Sequence, residues 1–269
     1  MADKQYRTGL VLSGGGARGF AHLGVMQALI EENIYPDVVS GTSAGALAGA
    51  LYCDGYSPKE ILKIMKTGGL MNYMRPALPR YGLLQISGIV RILESHLRAR
   101  TFEDLKIPLY VAATDLNHGK IVYFSKGELI NRLIASSSIP VLFKPMVIDN
   151  IHYVDGGVMD NLPIAPIEKL CSHFIGSFVN PTGYAENFNS LISIAERTFI
   201  LNLYKEALAK ANKFDLYVAP DELSKYSILD PEKSEEIYSI GYGATKTLLA
   251  LTEAKKILRP PEKADENDE

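Results

Sequence analysis

Apolar runs and helical periodicities alternate along this chain, and their order predicts a layered architecture before any chemistry is considered. The run "TGLVL" (residues 8–12) breaks into "SGGG" and is followed by apolar positions at helical spacing, Phe20, Leu23, Met26, Leu29 and Ile30. The pattern is strand, glycine loop, helix. It returns at once as a short strand over residues 37–40, a tight turn, and a helix of small residues ending near Gly55. Ser57, Pro58 and Glu60 then announce a third helix, with an N-cap, a proline at the first helical position and a carboxylate three residues after the cap.

Further on, the pattern predicts a helix over 87–100, strands over 107–115 and 120–125, and a helix over 127–138. Two strands joined by a turn at Asp149 and Asn150 run out at Asp155 and its two glycines. A short helix over 162–170, a strand over 173–179, an apolar-periodic segment over 191–211, a strand over 214–219 and a closing helix over about 231–258 complete the reading. Strands alternating with helices imply an α/β class, a three-layer α/β/α arrangement with a mainly parallel central sheet. In such sheets the functional loops gather at the carboxyl ends of strands. The glycine-marked sites at 14–16, 41–45 and 155–157 all follow predicted strands, so they are expected to share one edge of the sheet.

Composition narrows the class. At 269 residues and 47% hydrophobic, the chain is expected to form one main domain over 1–259. The last ten residues, "PPEKADENDE", hold five acids and one lysine, and read as a solvated, disordered tail over 260–269. The remainder is close to neutral, which argues against a nucleic-acid partner. Cys53 and Cys171 are too few for a disulfide framework or a four-ligand zinc site, and are expected to be free and buried. The opening "MADKQYRTGL" lacks a signal-like apolar core, and the longest stretch free of charge and histidine, residues 38–53, is short for a membrane span. The expected location is cytoplasmic, with peripheral membrane attachment left open.

Three constellations carry chemistry. Gly41-Thr42-Ser43-Ala44-Gly45 is a G-x-S-x-G between a strand and a helix, the context of a nucleophile elbow. Glycines at 41 and 45 are needed there because β-carbons would strike the neighbouring strand or helix. The hydroxyl of Ser43 is then presented at a helix N-terminus; the alternative is an N-cap serine in a small-residue packing segment. Gly14, Gly15 and Gly16, leading through Arg18 to Gly19, form a cradle of backbone N–H groups suited to a phosphate or an acyl-transfer oxyanion. A Walker-type Gly-Lys-Ser/Thr is absent. A formal G-x-G-x-x-G is present, but the second strand ends in Ser40-Gly41-Thr42-Ser43, where a dinucleotide site needs an acid. Asp155, before Gly156 and Gly157, is either a turn signal or a general base. Among the five histidines, His22 is the competing base because it follows Arg18 by one helical turn; His96, His118, His152 and His173 read as surface, turn or strand residues.

Taken together and in order, "GGGARG", "GTSAGA", "ASSSIP" (135–140) and "DGG" resemble the motifs of patatin-like phospholipases. The resemblance runs from about Gly9 to Pro166, and no motif matches beyond Asn180, so the last third is assigned by continuity. It implies a Ser-Asp dyad of Ser43 and Asp155 in place of a triad, an oxyanion hole on Gly14, Gly15 and Gly16, and Arg18 as the family's arginine in the glycine motif. It further implies an acyl lipid substrate and an acyl-enzyme intermediate; no cofactor or metal is expected, and transient contact with a membrane surface stays open. A free aspartate of pKa ~3.9 is a weak base for a serine, so partial burial is expected to raise the pKa of Asp155. The apolar, loop-like stretch with Leu70, Met71, Tyr73, Met74, Leu83 and Leu84 is the candidate lid or acyl-binding wall, or else a cover over the core. A soluble-ester carboxylesterase or thioesterase using His22 and a non-catalytic lipid- or anion-binding module remain the alternatives, and the oligomeric state is open.

Overall fold

A computed structural model describes residues 4–67, 86–186, 188–229 and 231–259. Among these, eight strands form one sheet: β1 (Tyr6–Leu12), β2 (Val38–Thr42), β3 (Leu109–Asp115), β4 (Lys120–Phe124), β5 (Met146–Ile148), β6 (Ile151–Asp155), β7 (Cys171–Ser177) and β8 (Leu216–Val218). Their order is β5-β6-β3-β2-β1-β7-β8, with β4 also paired to β3. The ladder from β3 through β2, β1 and β7 to β8 is parallel; β4, β5 and β6 join antiparallel. The helices are α1 (Phe20–Glu31), α2 (Ala44–Cys53), α3 (Pro58–Thr67), α4 (Ser87–His96), α5 (Ile130–Ser136), α6 (Leu191–Leu208), α7 (Ser234–Leu251) and α8 (Ala254–Leu258).

The strand sequences explain the layering. Leu10 and Leu12 of β1 point into a core shared with α1, α2 and α7, whereas Val11 between them joins the opposite core with Phe178 and Ala207 of α6. A strand covered on both faces has no polar side to show, which is why β1 reads as a continuous apolar run. Burying each such side chain fully contributes about 1.5–3 kcal/mol. The β5–β6 turn takes left-handed backbone at both Asp149 (φ 50) and Asn150 (φ 63), the conformation a two-residue hairpin requires and that Asp and Asn tolerate. At α3, the Ser57 hydroxyl accepts from the Glu60 N–H (3.3 Å) while the Glu60 carboxylate accepts from the Ser57 N–H (2.8 Å), a complete capping box.

Two predicted elements differ. Residues 162–170 form successive turns, because Pro163 and Pro166 remove donors that a helix there would need. The closing helix is interrupted where Thr252 turns extended (φ −122, ψ 161), dividing it into α7 and α8.

The topology around β3 positions the site. Along one edge of β3, Thr42 at the end of β2 pairs with Ala112 and Asp155 at the end of β6 pairs with Ala113. β2 runs parallel to β3 and β6 antiparallel, so the two strands approach one another along the same edge and stop at adjacent positions. Residues 43 and 155, remote in sequence, therefore leave the sheet side by side.

Candidate active site

Ser43 sits in the sharp turn between β2 and α2 with φ 52 and ψ −122, backbone that an L-residue rarely adopts and that costs on the order of 1–3 kcal/mol. The turn is tight enough that a β-carbon on Gly45 would lie 2.4 Å from the Leu12 carbonyl oxygen, and one on Gly41 would lie 2.8 Å from the Ala46 nitrogen. Both glycines are thus demanded by close approach. The Ser43 N–H donates to the Ser136 hydroxyl (2.8 Å), which ties the turn to the end of α5.

Asp155 is buried beside it. Burial raises its pKa to about 6; hydrogen bonding from the Ser43 side chain and from the Gly157 N–H (2.8 Å) acts in the opposite direction and favours the carboxylate. A carboxylate tuned in this way accepts a proton far more readily than a free aspartate.

The glycine loop is oriented from both sides. The Asn180 side-chain amide donates to the Gly14 carbonyl (2.6 Å), so the Gly15 N–H, opposite it on the same trans peptide, points away from Asn180. The Gly14 N–H is itself consumed, donated to Asn161 Oδ1 (3.0 Å) and its carbonyl (3.3 Å). Among the described residues, Gly15 and Gly16 have no protein acceptor for theirs. Gly14, Gly15, Gly16, Ser43, Asp155 and Asn161 line one small pocket. Ser43 and Gly16 also border a larger cleft, open at its mouth and walled by apolar side chains that include Phe20, Leu23, Leu47, Ile89, Phe143 and Leu229.

Arg18 stands apart from this arrangement. Its guanidinium turns into the protein, donating to the carbonyls of Tyr226 (2.7 Å), Pro181 (3.5 Å) and Ser224 (3.5 Å), and burial lowers its pKa to about 10. Its N–H is taken by Gly15. Arg18 braces the loop against the C-terminal region.

His22 is also excluded from contact with Ser43 by its own bonds. Nε2–H donates to the Ser13 carbonyl (2.8 Å), so Nδ1 accepts from the Ser177 hydroxyl (2.7 Å). Burial lowers its pKa to about 4, which keeps the ring neutral under the glycine loop. The two cysteines are free and buried. Leu70, Met71, Tyr73, Met74, Leu83 and Leu84 lie outside the described residues, as does the tail over 260–269. Asn161, Asn180 and Ser136 were not singled out from sequence; the signals available were the six-residue spacing of Asn161 from Asp155 and the place of Ser136 in "ASSSIP".

A strained serine beside a buried carboxylate, under free amides and at the end of an apolar cleft, invites comparison with known proteins. A family model described as patatin-like phospholipase matches residues 10–167, more than half of the chain. The chain belongs to this family. It is 34% identical over 163 residues to an uncharacterised NTE family protein of Mycobacterium tuberculosis, covering 60% of this chain and 45% of that protein. It is 30% identical over 295 aligned positions to lysophospholipase nte1 of Emericella nidulans, covering 96% of this chain and 19% of that protein. The chain therefore spans less than half the length of these curated relatives. Among solved structures, VipD from Legionella pneumophila has the same fold, with TM-score 0.52 at 17% identity over 92% of this chain and 67% of VipD. Within this patatin-like chain the match ends at residue 167, so β7, β8, α6, α7 and α8 lie beyond it.

Proposed function

We propose that this patatin-like chain is a serine acyl hydrolase that cleaves carboxylic esters of phospholipids or related acyl lipids through Ser43 and Asp155. One observation carries the reading: Ser43 is held in strained backbone against the buried Asp155 carboxylate and borders an open, apolar-walled cleft. The acyl chain occupies the cleft and the ester carbonyl reaches the smaller pocket.

The steps balance as follows. Ser43 Oγ bonds to the carbonyl carbon while its proton passes to Asp155. The negative oxygen that forms is met by the Gly15 and Gly16 N–H groups. The ester C–O bond breaks, and the Asp155 proton goes to the departing alcohol. Water then adds to the acyl-enzyme, giving a proton to Asp155; the Ser43–carbonyl bond breaks, Oγ regains that proton, and the fatty acid leaves. The lysophospholipase named among the relatives is consistent with a lipid ester as substrate.

The outer face of α6 suits contact with a lipid surface. Leu191, Ile194, Leu201 and Leu208 are exposed along it, and Lys205 is its charged residue among the described side chains. Glu196 and Glu206 of the same helix turn inward, to the Ser227 hydroxyl and Ile228 N–H and to Lys210. An exposed helix face bare of carboxylates, on the element whose Phe199 and Leu203 line the small pocket, favours an interface over plain solvent. No helix among the described residues is long and apolar enough to cross a membrane.

The test is hydrolysis of esters varied in acyl length and head group. Wild type is expected to favour long acyl chains, and Ser43→Ala to lose all turnover. Turnover surviving in Ser43→Ala, or none in wild type on any ester, would contradict the reading.

A further inference from the structure

Asn161 is buried six residues beyond Asp155, and its carboxamide has a fixed orientation. The Gly14 N–H can only donate, so the atom facing it is Oδ1, and Nδ2 faces elsewhere. Nδ2 is buried without a hydrogen-bond partner among the described residues. Leaving a buried amide N–H unmet costs about 1–3 kcal/mol, and such groups are uncommon in native proteins unless something else meets them.

The surroundings say what that something is. Asn161 lines the small pocket together with Ser43, Asp155, Gly15 and Gly16. The point where a β-carbon on Gly14 would stand lies 2.7 Å from Asn161 Oδ1 and 3.1 Å from Ser43 Cβ. The corresponding point on Gly157 lies 3.0 Å from Asp155 Oδ1 and 3.2 Å from Asn161 Oδ1. The carboxamide therefore stands beside both the serine and the carboxylate. It takes the N–H of Gly14 out of the pocket and brings two N–H donors of its own.

The residue is also held firmly. Its N–H donates to Glu206 Oε2 (3.0 Å), Glu206 pairs with Lys210, and Lys210 pairs with Asp160 Oδ1 (2.6 Å). The Asp160 carbonyl accepts from the Thr42 hydroxyl (2.9 Å), one residue before Ser43. A donor fixed by its surroundings before reaction is the kind that stabilises developing charge most effectively.

We propose that Asn161 is a catalytic residue: its Nδ2–H donates to the oxygen that becomes negative as Ser43 adds to the ester carbonyl, completing a hole with the Gly15 and Gly16 N–H groups. This inference rests on the serine hydrolase reading. Asn161→Asp keeps an acceptor for Gly14, removes the donors and adds a charge beside Asp155, whereas Asn161→Ala removes donors and acceptor without adding charge, so a fall shared by both variants is assigned to the lost donation. On a soluble chromogenic ester, kcat is expected to fall about 10²–10³-fold in Asn161→Asp and Asn161→Ala, with KM within about twofold of wild type. A kcat for Asn161→Asp within about threefold of wild type, or a loss carried wholly by KM, overturns the proposal.

A second measurement needs no variant. In wild-type protein crystallised after modification by a fluorophosphonate, Nδ2 is expected about 2.7–3.1 Å from the phosphonyl oxygen. A phosphonylated Ser43 whose oxygen meets Gly15 and Gly16 while Asn161 Nδ2 stands clear of it overturns this proposal and leaves the hydrolase reading intact. No modification of Ser43 overturns both.

Discussion

Asp155 must be hard enough to ionise that it takes a proton, yet ionised when the substrate arrives. Its burial meets the first condition and costs stability. With the folded-state pKa at about 6 and the ordinary value at 3.8, the folded protein holds a proton between these values that the unfolded chain has released. Stability from this group is therefore complete below about pH 4 and is lost as pH rises through 6. Asp155→Asn removes the charge and keeps an acceptor for Gly157. By urea denaturation it is expected to match wild type near pH 4 and to exceed it by about 2–3 kcal/mol at pH 7. Activity has the opposite dependence: kcat/KM is expected to fall tenfold per unit below an apparent pKa near 6 and to level above it. At this scale the sequence revealed the groups with a rare local signature, Ser43 between its glycines and Asp155 before its own. It hid those whose role depends on partners far along the chain. Arg18 lies within the glycine motif, yet its guanidinium is spent on carbonyls near residues 181 and 224–226. Asn161 carries only its six-residue spacing from Asp155, which does not announce a role.

Among the elements, the strongly periodic ones were legible because a buried face imposes its period on the sequence. Apolar spacing predicts a helix over 162–170, and Pro163 and Pro166 break that segment into turns. The break at Thr252 left no proline or glycine to announce it. Packing between helices supplies a sharper test than propensity. α7 crosses α1 so closely that a β-carbon on Gly241 would lie 2.1 Å from the Ala21 carbonyl oxygen. Gly241→Ala gains about 1 kcal/mol of helix propensity, but the clash is with backbone and costs more. A net loss of about 1–3 kcal/mol in denaturant unfolding is expected. For α6, Leu191→Glu with Leu201→Glu is expected to lower hydrolysis of lipid in vesicles several-fold and leave soluble short-chain esters unchanged. Equal loss on both substrates would assign the face to packing alone.

For the whole molecule, the decisive feature is how one strand brings two others together. The expectation that three glycine-marked loops share a sheet edge follows from alternation of strands and helices. What the alternation could not provide is that β6 runs against the parallel ladder and ends at the position next to the end of β2. That arrangement depends on pairing Thr42 with Ala112, 70 residues apart, and Ala113 with Asp155, 42 apart, which no local pattern encodes. The last third likewise lacks motifs, although Phe199, Leu203 and Ile228 complete the pocket and α7 covers α1. The central claim, that Ser43 is the nucleophile and Asp155 its base, is tested most directly by the rate of fluorophosphonate labelling as a function of pH. In wild type a single label is expected on Ser43, with a rate that rises through an apparent pKa near 6. Asp155→Asn should slow it by about 10²–10⁴-fold and His22 should remain dispensable to the pH dependence. Labelling of Ser43 at the wild-type rate in Asp155→Asn would contradict the account.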